Sequence, residues 1–200
     1  MYGPAGTKAM MENLEKAYDW DIQTRIADQA LSREDLTPIV TEINEGVVYE
    51  RDGVKVTAFD VDHGDLIKPA FGYRVDFDGR SVVISGDTKF SENLISKAKG
   101  ADLLIHQVAA AQEGLLSESK AMQLILAHHT KPEEAGTVFS RVKPKLAVYY
   151  HFALQGNAKY PAPTEEDVVV ATRKTYSGPL LIGEDLMVLI IGNGAVTLRQ

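Results

Sequence analysis

Three side chains able to hold a cation each fall just past the end of a predicted β-strand: His63, Asp87 and His151. Strand ends on a rigid sheet are where a fold can place ligands accurately, so the pattern predicts metal-dependent hydrolytic chemistry. Asp87 closes Val82-Val83-Ile84-Ser85-Gly86-Asp87-Thr88, where Gly86 permits a tight turn that presents the carboxylate at the sheet edge. An ionised Asp there can bridge two cations; a turn or helix-capping Asp is the competing reading. His151 ends Lys145-Leu146-Ala147-Val148-Tyr149-Tyr150, a position suited either to a neutral imidazole ligand or to a satisfied core histidine. His106 ends a fourth apolar run, Ala101 to Ile105, and His128-His129-Thr130 precedes a predicted helix, offering an acid/base group or a further ligand. All five histidines thus sit at strand ends or loop mouths, and one shared site explains that better than five separate accidents.

The elements that must position these groups follow from apolar spacing. Met10, Met11, Leu14 and Tyr18 form a stripe at helical period, predicting a helix over 6–18 that packs on a core. From Ile39 the period changes to two. A short strand after Thr37-Pro38, then strands over 46–50 and 54–61 joined by Asp52-Gly53, and over 71–77 and 81–85 joined by Asp78-Gly79, predict two hairpins. Helices are then predicted over 91–99, 117–126, 132–142 and 164–175, with strands over 101–106, 145–150, 180–182, 186–191 and 195–198. Hairpins followed by strand–helix alternation imply an α/β fold with a mixed sheet covered by helices.

Two hundred residues with 44% hydrophobic and 24% charged suit one domain, here 1–200, with a sizeable core. The absence of Cys excludes disulfides, thiolate metal sites and a Cys nucleophile. No apolar run approaches the ~18 residues of a membrane span, and Met1-Tyr2-Gly3-Pro4-Ala5-Gly6 does not read as a signal peptide, leaving the cytoplasm as the default compartment. A net charge of −7 without a Lys/Arg cluster argues against nucleic acid as a partner.

The order of motifs resembles the metallo-β-lactamase superfamily, in its ribonuclease Z and arylsulfatase-like branch. His63-Gly64, Phe71-Gly72-Tyr73-Arg74, Ser85-Gly86-Asp87-Thr88, Leu104-Ile105-His106, His129-Thr130-Lys131-Pro132-Glu133-Glu134-Ala135-Gly136 and His151-Phe152 carry the resemblance, which runs from Tyr2-Gly3-Pro4 to about residue 190. It implies an αββα sandwich and a divalent-metal centre, zinc in type, with two ions in full-length relatives. By the same resemblance His63 binds one metal, Asp87 bridges both, His151 binds the second, and His129 contacts the scissile group or relays a proton. A His-Glu pair of the family falls on His106-Gln107, where Gln carries no charge. The family signature His-x-His-x-Asp-His does not occur in this sequence, so an N-terminally shortened fold and weak or absent metal binding are expected.

The interval from His63 to Asp87 leaves no room for the long arm that ribonuclease Z uses to hold transfer RNA. A small ester (phosphodiester, sulfate ester, carboxyl ester or lactone) is therefore the expected substrate. Gly72-Tyr73, Arg74 and the Tyr149-Tyr150 pair are candidates to line its pocket, each as easily a packing residue, with His129, Asp87 and His106 as catalytic candidates. The alternative is a binding protein that keeps the fold without a working metal centre. A metal-free esterase using His129 or His106 lacks a Gly-x-Ser-x-Gly elbow. Under either main reading an uncovered sheet edge predicts a homodimer.

Overall fold

The computed structural model describes residues 1–192 and 194–199, and the chain forms two compact units, Met1–Asn44 and Glu45–Gln200. In the first unit, β1 (Tyr2–Gly3) pairs in parallel with β2 (Thr41–Glu42), and between them lie α1 (Thr7–Ala17), α2 (Asp19–Gln29) and α3 (Arg33–Leu36). Ser32 caps α3 in a reciprocal capping box with Asp35. The expected helix over 6–18 is present as α1, but its apolar stripe does not join a core. Met10 is 54% exposed and Tyr18 63%, and neither α1 nor α2 buries any residue. Helical periodicity shows that one face is apolar; it does not say what covers that face.

The second unit is built on a seven-stranded mixed sheet in sequence order: β3 (Gly46–Arg51), β4 (Val54–Val61), β5 (Ala70–Phe77), β6 (Arg80–Ile84), β7 (Leu103–Ala111), β8 (Leu146–Gln155) and β9 (Leu180–Ile182). The predicted hairpins are both present. Asp52 and Gly53, and again Asp78 and Gly79, take positive φ at the two turn positions, the geometry that matches strand twist. Neighbours from β3 to β6 pair antiparallel, and from β6 to β9 parallel. Two reversals return β4 to the direction of β6, so β4, β6, β7 and β8 all point their C-terminal ends to one edge.

Helices cover one face: α4 (Glu92–Lys97), then α5 (Glu113–Glu118) and α6 (Lys120–Leu126), α7 (Pro132–Val142) and α8 (Glu165–Thr172). The single helix expected over 117–126 is two, because Ser119 is extended and its hydroxyl caps the start of α6. Phe59, Val83, Leu94, Leu104, Val138, Phe139 and Tyr149 form the main core between sheet and helices. On the opposite face Leu103, Leu146 and Val148 pack under the hairpin of β10 (Leu189–Ile191) and β11 (Val196–Leu198). The second β-layer of the expected sandwich is thus, among the described residues, a two-stranded hairpin. No helix among these residues is long and apolar enough to cross a membrane.

Candidate metal centre

The shared C-terminal edge collects four of the predicted site residues. His63 lies two positions past β4, Asp87 three past β6, His129 in the turn before α7, and His151 inside β8. Gly86 makes the Asp87 turn possible: its φ is +63°, and a Cβ there would collide with the carbonyl oxygen of Phe71. His151 reaches the edge by another route. In the β7–β8 ladder Gln107 opposes Tyr150 and Val108 opposes Phe152, so His151 is a bulged residue without a partner. Its φ is +46°, a left-handed conformation that β-carbon sterics disfavour.

His63, Asp87 and His129 each offer a donor atom, and these atoms lie within 4.8 Å of one another. His63 Nε2 is 3.9 Å from Asp87 Oδ2, and His151 Nε2 is 3.4 Å from Asp87 Oδ1, so the two carboxylate oxygens face different imidazoles. The rings of His63 and His129 meet edge to face at 5.1 Å between centroids, and those of His129 and His151 lie 5.9 Å apart. Both contacts with Asp87 are too long for good hydrogen bonds. Two donors about 2.1 Å from one tetrahedral cation lie roughly 3.4 Å apart, a separation that the His151 contact matches and the His63 contact exceeds.

The outer nitrogens are fixed by backbone carbonyls. His63 Nδ1 donates to the His128 carbonyl at 3.0 Å, and His129 Nδ1 donates to the Ile125 carbonyl at 2.9 Å. Those bonds place the proton on Nδ1 and leave the Nε2 lone pair directed at Asp87, the tautomer that a metal ligand needs. Burial lowers the His129 pKa, with the nearby His63 and His151 acting in the same direction, so its ring stays neutral below the usual histidine range. The donor set of imidazoles plus one carboxylate therefore fits a divalent cation of zinc type.

Other predicted site residues lie elsewhere. His106 is 1% exposed and packs edge to face on Phe139 in the helix-side core, while its Nδ1 donates to the Gln107 carbonyl at 2.6 Å. Strand alternation puts it on the same face as Leu104 and Val108, and burial lowers its pKa to about 4. Arg74 is committed to structure: its Nε meets both oxygens of Asp76 at 3.0 Å, and NH1 caps the C-terminal end of α4 through the carbonyls of Lys97 and Lys99. Tyr73 is half-buried against Phe71. Tyr149 is a core residue bonded to the Thr172 hydroxyl at 2.7 Å, whereas Tyr150 lies beside Asp87, Ser85 and Gly86, where burial raises its pKa. Asp62, which sequence reasoning passed over, accepts from the Gly64 amide at 2.9 Å and pairs with Lys89 at 3.4 Å, tying the His63 loop to the Asp87 turn. Its Asp-x-Gly spacing is the local signal that could have found it.

Relief of the His151 strain should be measurable. Replacing His151 by Gly, which tolerates positive φ, is expected to raise stability by about 1 kcal/mol in urea unfolding of the metal-free protein. An unchanged or lower midpoint would mean that the bulge holds no strain at this residue.

Residues 2–152 match the family described as the Beta-lactamase superfamily domain. The chain belongs to the metallo-β-lactamase superfamily. Within it, relatives of the ribonuclease Z branch stand near. A putative ribonuclease Z of Mycobacterium tuberculosis is 33% identical over 188 residues, covering 92% of this chain and 80% of that protein. A ribonuclease Z of Mycolicibacterium gilvum is 34% identical over 196 residues, covering 92% of this chain and 63% of that one. The chain thus spans under two thirds of the latter's length. Among solved structures, the metallo-β-lactamase fold protein YhfI of Bacillus subtilis superposes with a TM-score of 0.62 at 15% identity, over 92% of this chain and 61% of that one. The human tRNase Z short form gives 0.53 at 18%, over 93% and 65%. Both show the fold.

Proposed function

We propose that this chain is a metal-dependent phosphodiester hydrolase. The observation that carries the reading is the Asp87 carboxylate set between imidazoles, with His63 and His129 on one side and His151 on the other. His63, Asp87 and His129 would hold one cation, and Asp87 with His151 would contribute to a second position sharing the same carboxylate. A cation there supplies charge to stabilise the phosphoryl oxygens and to activate a water for attack. The chain's own part is to fix the donors. The carbonyls of His128 and Ile125 hold two imidazoles in the right tautomer, and the Gly86 turn and the β8 bulge aim the other two groups. His129 has a second use as a neutral base where a cation does not occupy its Nε2.

For substrate, the names of the ribonuclease Z relatives favour an RNA phosphodiester, which sets aside the small-ester expectation and the exclusion of nucleic acid. That exclusion rested on a net charge of −7 for the whole chain, which does not describe the field at one edge of a sheet. The test is hydrolysis of bis(p-nitrophenyl) phosphate and of a transfer RNA transcript, with added Zn2+ or Mn2+ and with chelator. Chelator-sensitive cleavage of both is expected. Cleavage of the small diester alone would restore the small-ester reading. Inactivity on both under every metal condition would leave a binding protein that keeps the fold, and chelator-resistant activity would point to a metal-free esterase.

A further inference from the structure

We infer that Gln107 is a positioning residue: its side-chain amide, through the carbonyl of Thr88, locks together the three loops that carry His63, Asp87 and His129. Each of these residues has a neighbour in one polar lattice, buried except at Asp62. Thr88 follows Asp87, Thr130 follows His129 and Asp62 precedes His63. The Thr88 carbonyl accepts two hydrogen bonds, from Gln107 Nε2 at 2.6 Å and from Thr130 Oγ1 at 2.7 Å. On its other side the Thr88 hydroxyl accepts from the Asp62 amide at 3.2 Å, and the Asp62 carbonyl accepts from the Lys89 amide at 2.7 Å. Ser85 completes the frame by accepting from the backbone N–H of Gln107 at 3.1 Å and donating to the Gly86 carbonyl at 2.6 Å. Ser85, Thr88, Gln107 and Thr130 are all fully buried, so water does not substitute for a bond that is lost.

The two ends of the Gln107 amide are used unequally. Its N–H makes the bond to Thr88, while Oε1 is buried and finds no hydrogen-bond partner among the described residues. The residue is therefore held in place by its donor. A Leu there would leave the Thr88 carbonyl without one of its two hydrogen bonds in a site closed to water. The Gln107 side chain thus bears on ligand geometry, although it donates nothing to the cluster itself. Because β7 is a central strand paired on both sides, it gives the lattice a rigid anchor.

The inference about metal affinity rests on the proposed metal centre; the inference about loop geometry does not. The experiment therefore has two arms, on the wild type, Gln107→Leu, Thr130→Val and, as a control for a buried polar loss elsewhere, Thr172→Val. In the metal-free protein, amide hydrogen exchange at Asp62 and Lys89 is read by NMR. Gln107→Leu and Thr130→Val should each speed exchange at both amides by about tenfold or more over any change at Ala147, and Thr172→Val should not. Co2+ is then titrated as the probe, reading its visible ligand-field spectrum and affinity. The two lattice variants should bind about tenfold or more weakly and with a shifted spectrum, the scale of losing a partner behind the ligands. Unchanged exchange at Asp62 and Lys89 overturns the inference whatever the metal does. So does wild-type Co2+ affinity and spectrum in both lattice variants, or an equal loss in Thr172→Val. If the wild type binds no Co2+, the metal-centre reading fails instead, and the exchange arm alone decides the role of Gln107.

Discussion

Replacing Asp87 by Asn is expected to abolish chelator-sensitive hydrolysis, a fall of at least ~100-fold, while leaving the fold intact. Asp87 is the anion of the cluster, and its two oxygens are used in different directions: Oδ2 faces His63 Nε2 at 3.9 Å and Oδ1 faces His151 Nε2 at 3.4 Å. Asn is nearly isosteric, but it removes the charge and turns one of those two faces into an N–H donor that repels a cation. The loss therefore falls on both proposed positions at once, unlike the loss of any one imidazole. Stability should be spared because the side chain is 38% exposed and its contacts are with the cluster, whereas the turn itself is held by Ser85, Thr88 and Gln107. Hydrolysis of bis(p-nitrophenyl) phosphate, equilibrium dialysis against Zn2+ and urea unfolding of the metal-free protein measure the three quantities. A variant with full chelator-sensitive activity would remove Asp87 from the centre. One that is inactive because it is unfolded would show a lowered urea midpoint, which the contacts of Asp87 do not predict.

How much of this was legible beforehand depends on the range over which the cause acts. The hairpins at Asp52-Gly53 and Asp78-Gly79 were readable because a two-residue turn is decided by its own residues. The Asp87 turn was readable for the same reason, with Gly86 beside it. His63, Asp87 and His151 could each be assigned to a strand end, yet their convergence on one edge depends on β4, β6 and β8 running the same way. Apolar runs alone do not give those directions. The bulge that turns His151 toward Asp87 is a matter of register with β7 and leaves no mark in the local sequence. His129 was expected to act on substrate, relay a proton or serve as a ligand; its donor atom lies within 4.8 Å of those of His63 and Asp87, and the hydroxyl of the next residue, Thr130, bonds Thr88, 42 residues away.

The placement of other residues and elements has similar physical causes. Arg74 reads as a pocket residue in a Gly-Tyr-Arg segment, but Asp76 on the same face of β5 and the carbonyl end of α4 together claim its guanidinium. Helices α2 and α3 went unrecognised because Asp19–Gln29 has only Trp20, Ile22 and Ile26 as large apolar side chains and Arg33–Leu36 only Leu36, too few to mark a helical period. His106 is different, since its place was readable in principle. It alternates in phase with Leu104 and Val108, both of them in the helix-side core, and a strict period of two assigns it to their face.

That burial makes His106 the source of the largest expected pH effect on stability. Its pKa is lowered from 6.5 to about 4 by loss of hydration, against a smaller opposing push from the Gln107 carbonyl. Because the folded pKa is depressed, the unfolded chain takes up the proton first. The neutral ring's contribution is complete above pH 6.5 and is lost as the pH falls toward 4. A gap of about 2.5 units, from 6.5 to about 4, corresponds to roughly 3 kcal/mol of stability lost over that window at ~1.36 kcal/mol per unit. Carboxylates with lowered pKa, such as the Asp102 that pairs with Lys145, lose their contributions in the same direction at lower pH, so the wild-type curve alone does not isolate His106. Comparison with His106→Leu does. The variant should be less stable than the wild type at pH 7.5, having lost the Nδ1 bond to Gln107, yet decline less steeply between pH 6.5 and 4, so that the two urea-unfolding curves converge or cross. Parallel curves would show that His106 takes up its proton without cost in the folded state. Such a histidine would have access to water and to substrate, and the metal-free esterase that draws on His106 would regain its footing.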